Sequence, residues 1–319
     1  MPETSALATG KELREATLRY LWCQWKAVGA TVQSNNTAQI VVDPEALILM
    51  SLWMLEHERR LTDVVWSWVN LNSALLSIQR LSNLRKDFPP EVSRRLSALA
   101  EYRVMEAKDP RWKSLKTSKS VELGERTSKL RAVEPRFTSW ATLMLQLRLG
   151  LGVGVKADVL TIVLGTNAFG TEWLSVAAIA DTLGYTTAAV RRAADDLARA
   201  RFIKPLDTPE SDQAAQRMFT AQVAPWASLL GQSGPPRWGY WPERYQFVID
   251  VLTWLERAAS QPTLGYASDV EAREILQRHG VALRKDRIID SQEFAVADLN
   301  LDYLVVASKA FVTWLGNHG

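Results

Sequence analysis

The sequence predicts a mainly α, multi-domain protein. A helical N-terminal domain and a helical C-terminal region flank a central module of two short helices hinged at a glycine, with a small β element behind it. Three observations carry this reading. Apolar residues recur at i, i+3, i+4 and i+7 through most of the 319 residues, the period of helices with one buried face. Strand-like runs are short and few, chiefly 202–206 and 217–223. Composition also shifts at 109–136, which is basic and rich in Ser and Thr, and at 231–239, which is Gly, Pro and Ser. The expected division is therefore 1–107, a linker at 108–136, a module at 137–231 and a region at 232–319.

The most specific stretch is 175–203, SVAAIADTLGYTTAAVRRAADDLARARFI. A helix over 176–183 should stop at Gly184, which supplies the left-handed conformation of a tight C-terminus. Thr186 or Thr187 then caps a second helix running to about Ala200. Ala177, Ile179, Ala180, Leu183, Tyr185, Val190, Ala194 and Leu197 fall on the facing inner sides. The small Ala180 and Ala194 stand where two crossing helices must approach closely. That is the layout of a helix-turn-helix. The runs 202–206 (FIKPL) and 217–223 (RMFTAQV), closed by the polar loop 207–215, read as a pair of strands. Residues 155–164 form an amphipathic helix upstream, and 172–174 a short third strand.

On Leu183-Gly184-Tyr185-Thr186, Val190-Arg191-Arg192, Leu197 and Phe202-Ile203, residues 148–223 resemble the winged helix-turn-helix domain of MarR- and ArsR-type regulators. The resemblance implies a second helix lying in the major groove of double-stranded DNA, its first turns against base edges. Thr186, Thr187, Ala188, Arg191 and Arg192 would then face outward. An arginine fork reaches O6 and N7 of guanine together, and Thr187 or Ala188 suits a thymine methyl or a phosphate. The plainer reading of the two arginines is solvated surface charge. Charge cuts against groove binding: residues 150–231 hold seven basic and eight acidic side chains, including Asp195, Asp196 and the loop acids Asp207, Glu210 and Asp212. Either the loop stays clear of phosphate, or the fold grips protein.

Composition sets the frame. With 47% hydrophobic and 23% charged residues the chain is ordinary globular material, and a net charge of +3 requires any nucleic-acid footprint to be local. The single Cys23, between Trp22 and Trp25, excludes an internal disulfide and reads as a buried thiol in a reducing compartment. The N-terminus lacks an apolar core, and the longest apolar run, 46–55, is about half of what a bilayer needs. A cytoplasmic protein with no membrane association is expected.

In the N-terminal region, helices are expected at 12–28, 44–56, 61–71, 77–88 and 91–107, with a strand at 37–42. Asp43 and Pro44 supply N-cap and first position for a helix apolar nearly all round, hence the core of this region. Residues 77–88 admit a second recognition helix with Gln79, Arg80, Asn83 and Arg85 outward; a plain bundle helix is preferred. The stretch 109–136 reads as a flexible basic linker whose Lys113, Lys116 and Lys119 are candidate contacts to the DNA backbone. A helix at 137–149 leads into Gly150-Leu-Gly152-Val-Gly154-Val-Lys156, which is no Walker loop, because Ala157 follows the lysine and the glycine spacing is wrong. The C-terminal region carries helices at 241–259, 268–279 (opened by Ser268 and Glu271 as a capping box) and 299–315, suited to dimerisation or a partner.

Residues that could carry chemistry are few. His57, His279 and His318 are far apart and the chain has one cysteine, so no metal is expected. Asp286, Asp290, Glu293, Asp298 and Asp302 read as solvated acids rather than magnesium ligands. No nucleophile elbow, kinase set or dinucleotide fingerprint occurs, so no enzyme and no cofactor are expected. The expected function is a sequence-specific DNA-binding transcriptional regulator, a homodimer on a palindromic site. The alternative is a protein-interaction or neutralising subunit of a multi-protein defence or toxin-type system.

Overall fold

The computed structural model describes residues 2–32, 36, 38–121, 123, 132–166, 173–206, 217–226, 236–260, 265–285, 287–296 and 299–318. They are mainly helical, with one small sheet. In order these are α1 (Pro2–Ala27), α2 (Pro44–Trp53), α3 (Arg60–Asn72), α4 (Ile78–Leu84), α5 (Pro90–Met105), α6 (Leu143–Leu151) and α7 (Val155–Thr166). There follow β1 (Leu174–Ser175), α8 (Val176–Leu183), α9 (Thr187–Arg199), β2 (Lys204–Pro205), β3 (Met218–Thr220), α10 (Trp241–Ser260), α11 (Gly265–Lys285), α12 (Ser291–Val296) and α13 (Leu301–His318).

The chain forms two compact units, one of Cys23–Gly239 and one of Met1–Trp22 with Tyr240–Gly319. This division runs differently from the boundaries that composition suggests, because α2 to α5 share one unit with α6 to α9. The larger unit is built around α2, whose residues from Pro44 to Leu52 are all buried and which packs against α3, α4 and α5. Asp43 caps it, accepting from the Ala46 N–H at 3.1 Å. Trp25 and Trp68 meet edge to face with centroids 5.8 Å apart. Their indole N–H groups are satisfied by Ser51 Oγ at 2.9 Å and the Val28 carbonyl at 2.7 Å. The expected strand at 37–42 does not form over the described residues there. The Val41 and Val42 N–H groups donate instead to the Arg237 and Ala141 carbonyls, so neighbouring residues bond to different loops and no ladder can build.

The first part of the expected linker is docked. Pro110–Leu115 is a 3₁₀ turn packed on α5 and α4, with Trp112 and Leu115 fully buried. Two large apolar side chains suffice to hold it down, and the mixed composition hides them. Asp109 anchors the turn, accepting from Arg111, Ser73 Oγ and Arg103. The Arg111 guanidinium in particular holds the Asp109 carboxyl well below the usual carboxylate range. Residues 122 and 124–131, with three of the linker's basic side chains, lie outside the described residues.

In the smaller unit, Tyr20, Trp241 and Trp314 cluster with centroids 5.0–6.5 Å apart. The buried Arg244 guanidinium lies 3.9 Å from the Trp314 ring centroid and 5.0 Å from that of Trp241. Asp250 accepts from Arg278 and pairs with His279, both at 2.8 Å, and these two partners outweigh the burial that would raise its pKa, leaving it lowered. Helix α11 starts at Gly265, so Ser268 lies inside it and is not the expected cap. Asn300 caps α13, accepting from the Tyr303 N–H at 3.1 Å, and α12 is an element the periodicity did not reveal. Among the described residues no helix is long and apolar enough to cross a membrane.

Candidate functional site

Local chemistry builds α8 and α9 much as their residues dictate. Ser175 Oγ accepts from the Ala178 N–H at 3.1 Å and opens α8. Gly184 closes it at φ 69°, ψ 28°, and the Tyr185 N–H reaches back to the Ala180 carbonyl at 3.0 Å, the bond of a Schellman cap. Thr186 is the N-cap of α9, its Oγ1 accepting from Ala189 at 3.3 Å. Val190, Ala193, Ala194 and Leu197 are buried at i, i+3, i+4 and i+7. One inner-face expectation fails: Ala177 is exposed and Val176 takes the buried position, because Val176, Ile179, Ala180 and Leu183 are the i, i+3, i+4, i+7 stripe of α8 and Ala177 falls outside it. That strand belongs to an antiparallel sheet of order β1-β3-β2, with Leu174 opposite Phe219 and Lys204 opposite Thr220. The buried Phe219 ties β3 to the core. The strand expected at 172–174 begins at Leu174, Glu172 lies outside the described residues, and so does the loop at 207–216.

The outer face of α9 is accessible. Thr186, Thr187, Ala188 and Arg192 are exposed, and Arg191 is half-buried. The aspartates on the same helix have cationic partners. Asp195 accepts from Arg217 at 2.7 Å, and Asp196 from Lys156 at 2.8 Å, with Arg199 at 3.7 Å. Lys156 is the main cause of a lowered Asp196 pKa. Beside Arg192 runs a groove of about 390 Å³ between α9 and the α6–α7 corner, lined by Leu151, Gly152, Val153, Lys156, Ala189 and Asp196. Gly152 makes the corner at φ 84°, and its neighbours Leu151 and Val153 stand exposed.

Beneath the turn lies a fully buried ionic network. Arg148 on α6 is doubly bonded to Glu45 of α2, at 2.7 and 2.9 Å, and to Asp158 of α7, at 2.7 and 2.9 Å. Arg80 on α4 grips Asp43 and Glu45 and donates from Nε to the Leu183 carbonyl at 2.9 Å. The Tyr185 hydroxyl donates to Asp158 Oδ2 at 2.8 Å, leaving the Ser77 hydroxyl hydrogen for the phenol oxygen at 3.1 Å. Ser77 returns to Glu45 through its own N–H at 2.8 Å. The result is a closed ring, Glu45–Ser77–Tyr185–Asp158–Arg148–Glu45. Burial opposes the charge on both arginines, but their carboxylate partners outweigh it and hold the guanidiniums more firmly protonated than usual. A sequence signal for this did exist: Glu45 is the one carboxylate in a helix apolar nearly all round, and a buried charge requires a partner.

The outward set weighed for a second recognition helix is not outward. Arg80 is fully buried, Asn83 donates to the Gly184 carbonyl at 2.8 Å, and Arg85 donates to the Leu115 carbonyl at 2.8 Å. Only Gln79 of the four is exposed. The polar groups of the other three are satisfied inside the fold by neighbouring carboxylates and carbonyls. Lys113, Lys116 and Lys119 are exposed, the first two at the docked 3₁₀ turn that Arg85 touches. Lys113 and Lys116 are thus not on a free arm. Among the described residues no three metal-ligating side chains cluster; Asp286 and Asp298 lie outside those residues. No protein-family model, no curated protein and no solved structure matches the chain.

Proposed function

We propose that the chain is a non-catalytic, sequence-specific DNA-binding regulator that uses residues 148–223 as a winged helix-turn-helix, with α9 as the recognition helix. The observation that carries this is the exposed N-terminal face of α9: a threonine-capped helix start presents Thr186, Thr187, Ala188 and Arg192 to solvent. Asp195 and Asp196 are each paired with a cation, Arg217 and Lys156, which leaves Arg192 as an exposed positive group on this face although the charge balance of the module is unchanged. Arg192 is the base-reading candidate and half-buried Arg191 a lesser one. A homodimer on a palindromic duplex in the cytoplasm fits such a regulator.

The test is selection of duplexes from a random library, followed by affinity measured against salt. Arg191→Ala/Arg192→Ala should lose about 1–3 kcal/mol for each base contact removed. Equal binding by the double variant would take these residues out of the reading.

A second reading, a protein-interaction subunit, is favoured by one feature. Leu151 and Val153, 43 and 37% exposed, line the groove beside Arg192, an apolar corner of the kind that partners cover. Stoichiometric co-purification of a protein, without salt-sensitive DNA affinity, would establish it instead.

A further inference from the structure

We propose that α4 sets the orientation of the α8–α9 turn, with Asn83 as its positioning residue, so that a displacement of α4 is felt at the N-terminus of α9. The consequence for binding rests on the DNA reading above; the mechanical claim does not. Consecutive carbonyls of the turn, those of Leu183 and Gly184, are held by Arg80 Nε at 2.9 Å and Asn83 Nδ2 at 2.8 Å. A helix end normally leaves such carbonyls to solvent. Leu84 packs on the same glycine: a Cβ placed there would lie 3.2 Å from its Cδ2. Just past α4, Arg85 grips the Leu115 and Ser114 carbonyls of the basic turn. One short helix end thus touches both stretches that carry the candidate DNA contacts. Arg80 is also committed to Asp43 and Glu45, whereas Asn83 is half-buried and has the Gly184 carbonyl as its bond, which makes it the separable member.

The test compares Asn83→Ala and the isosteric Asn83→Asp, which removes the donor, with Gln79→Ala on the exposed side of the same helix. Backbone amide exchange is followed at Tyr185, Ala189 and Val190. Loss of one neutral hydrogen bond should speed it about three- to tenfold in both Asn83 variants, with amides of α7 unchanged and Gln79→Ala like wild type. Unchanged exchange at the turn overturns the proposal. On a duplex selected from a random library, the same variants should lose about three- to tenfold in preference over random duplex while the melting temperature falls by no more than about 2–4 °C. Faster exchange with undiminished preference would overturn the positioning role. If the wild-type chain prefers no duplex, the DNA reading fails separately and exchange alone decides whether α4 fixes the turn.

Discussion

The Tyr185 hydroxyl lies 2.8 Å from Asp158 Oδ2 and 3.1 Å from Ser77 Oγ, so the residue that follows the Gly184 hinge is bonded to α7 and to the cap of α4 at once. Its phenol is thereby an internal group, although the residue after it, Thr186, is exposed.

This arrangement makes stability depend on alkaline pH. Burial, reinforced by Asp158, pushes the Tyr185 pKa well above the ordinary value near 10. The folded state therefore keeps a proton that the unfolded chain releases. The phenol's contribution is complete below about pH 10 and is lost as pH rises beyond it. Urea unfolding from pH 8 to 11.5 should show a steeper high-pH decline for wild type than for Tyr185→Phe. At pH 7 the variant should be less stable by about 1–3 kcal/mol, since Asp158 loses a donor inside the core.

The ring should behave as a unit. Arg148→Met leaves Glu45 and Asp158 buried with fewer partners, and breaking a buried pair costs about 3–5 kcal/mol. Adding Asp158→Asn should cost much less than it does alone. A double-mutant cycle by chemical denaturation should return a coupling above about 1 kcal/mol; additive losses would show the ring to be a set of independent pairs.

Gly184 is restricted both by its own backbone and by a neighbour. At φ 69° a side chain is strained by about 1–2 kcal/mol, and the new Cβ would press Leu84 at 3.2 Å. Gly184→Ala should therefore be destabilising by at least that amount, and Gly184→Asn less so, because Asn tolerates the left-handed region. Thermal melts of the two variants decide it.

Asp196 should restrain non-specific DNA affinity. Its carboxylate engages Lys156 and Arg199 on the face where phosphates would pass. Asp196→Ala frees both cations, so affinity for random duplex should rise and the slope of log K against log salt should steepen by about 0.9 per added contact. An unchanged slope would place this face away from the duplex.

What the sequence made legible follows from how locally each feature is specified. The helix pair, the Gly184 stop and the Thr186 cap depend on neighbours within one turn, and all three stand in the structure. Pro110–Leu115 was misread because two buried side chains, Trp112 and Leu115, sit among charges that dominate the average. The partners in the ring were illegible for a different reason. Glu45 alone signals a buried charge in need of a partner, but Arg148 is 103 positions away and nothing local says that it is the one. Asp43 reads fully as an N-cap, so nothing local signals its second task of holding Arg80. Ala177 was legible too: counting back from Leu183, Ala180 and Ile179 by helical spacing reaches Val176, the residue that is buried.

The ring also governs how this protein can be cut for study. A fragment starting at residue 148 would carry Arg148, Asp158 and Tyr185 but leave Glu45, Ser77 and Arg80 behind, stripping the turn of the groups that now satisfy it. An excised module that fails to fold or to bind would say nothing about the intact chain, and any minimal version must retain the helices from Asp43 onward.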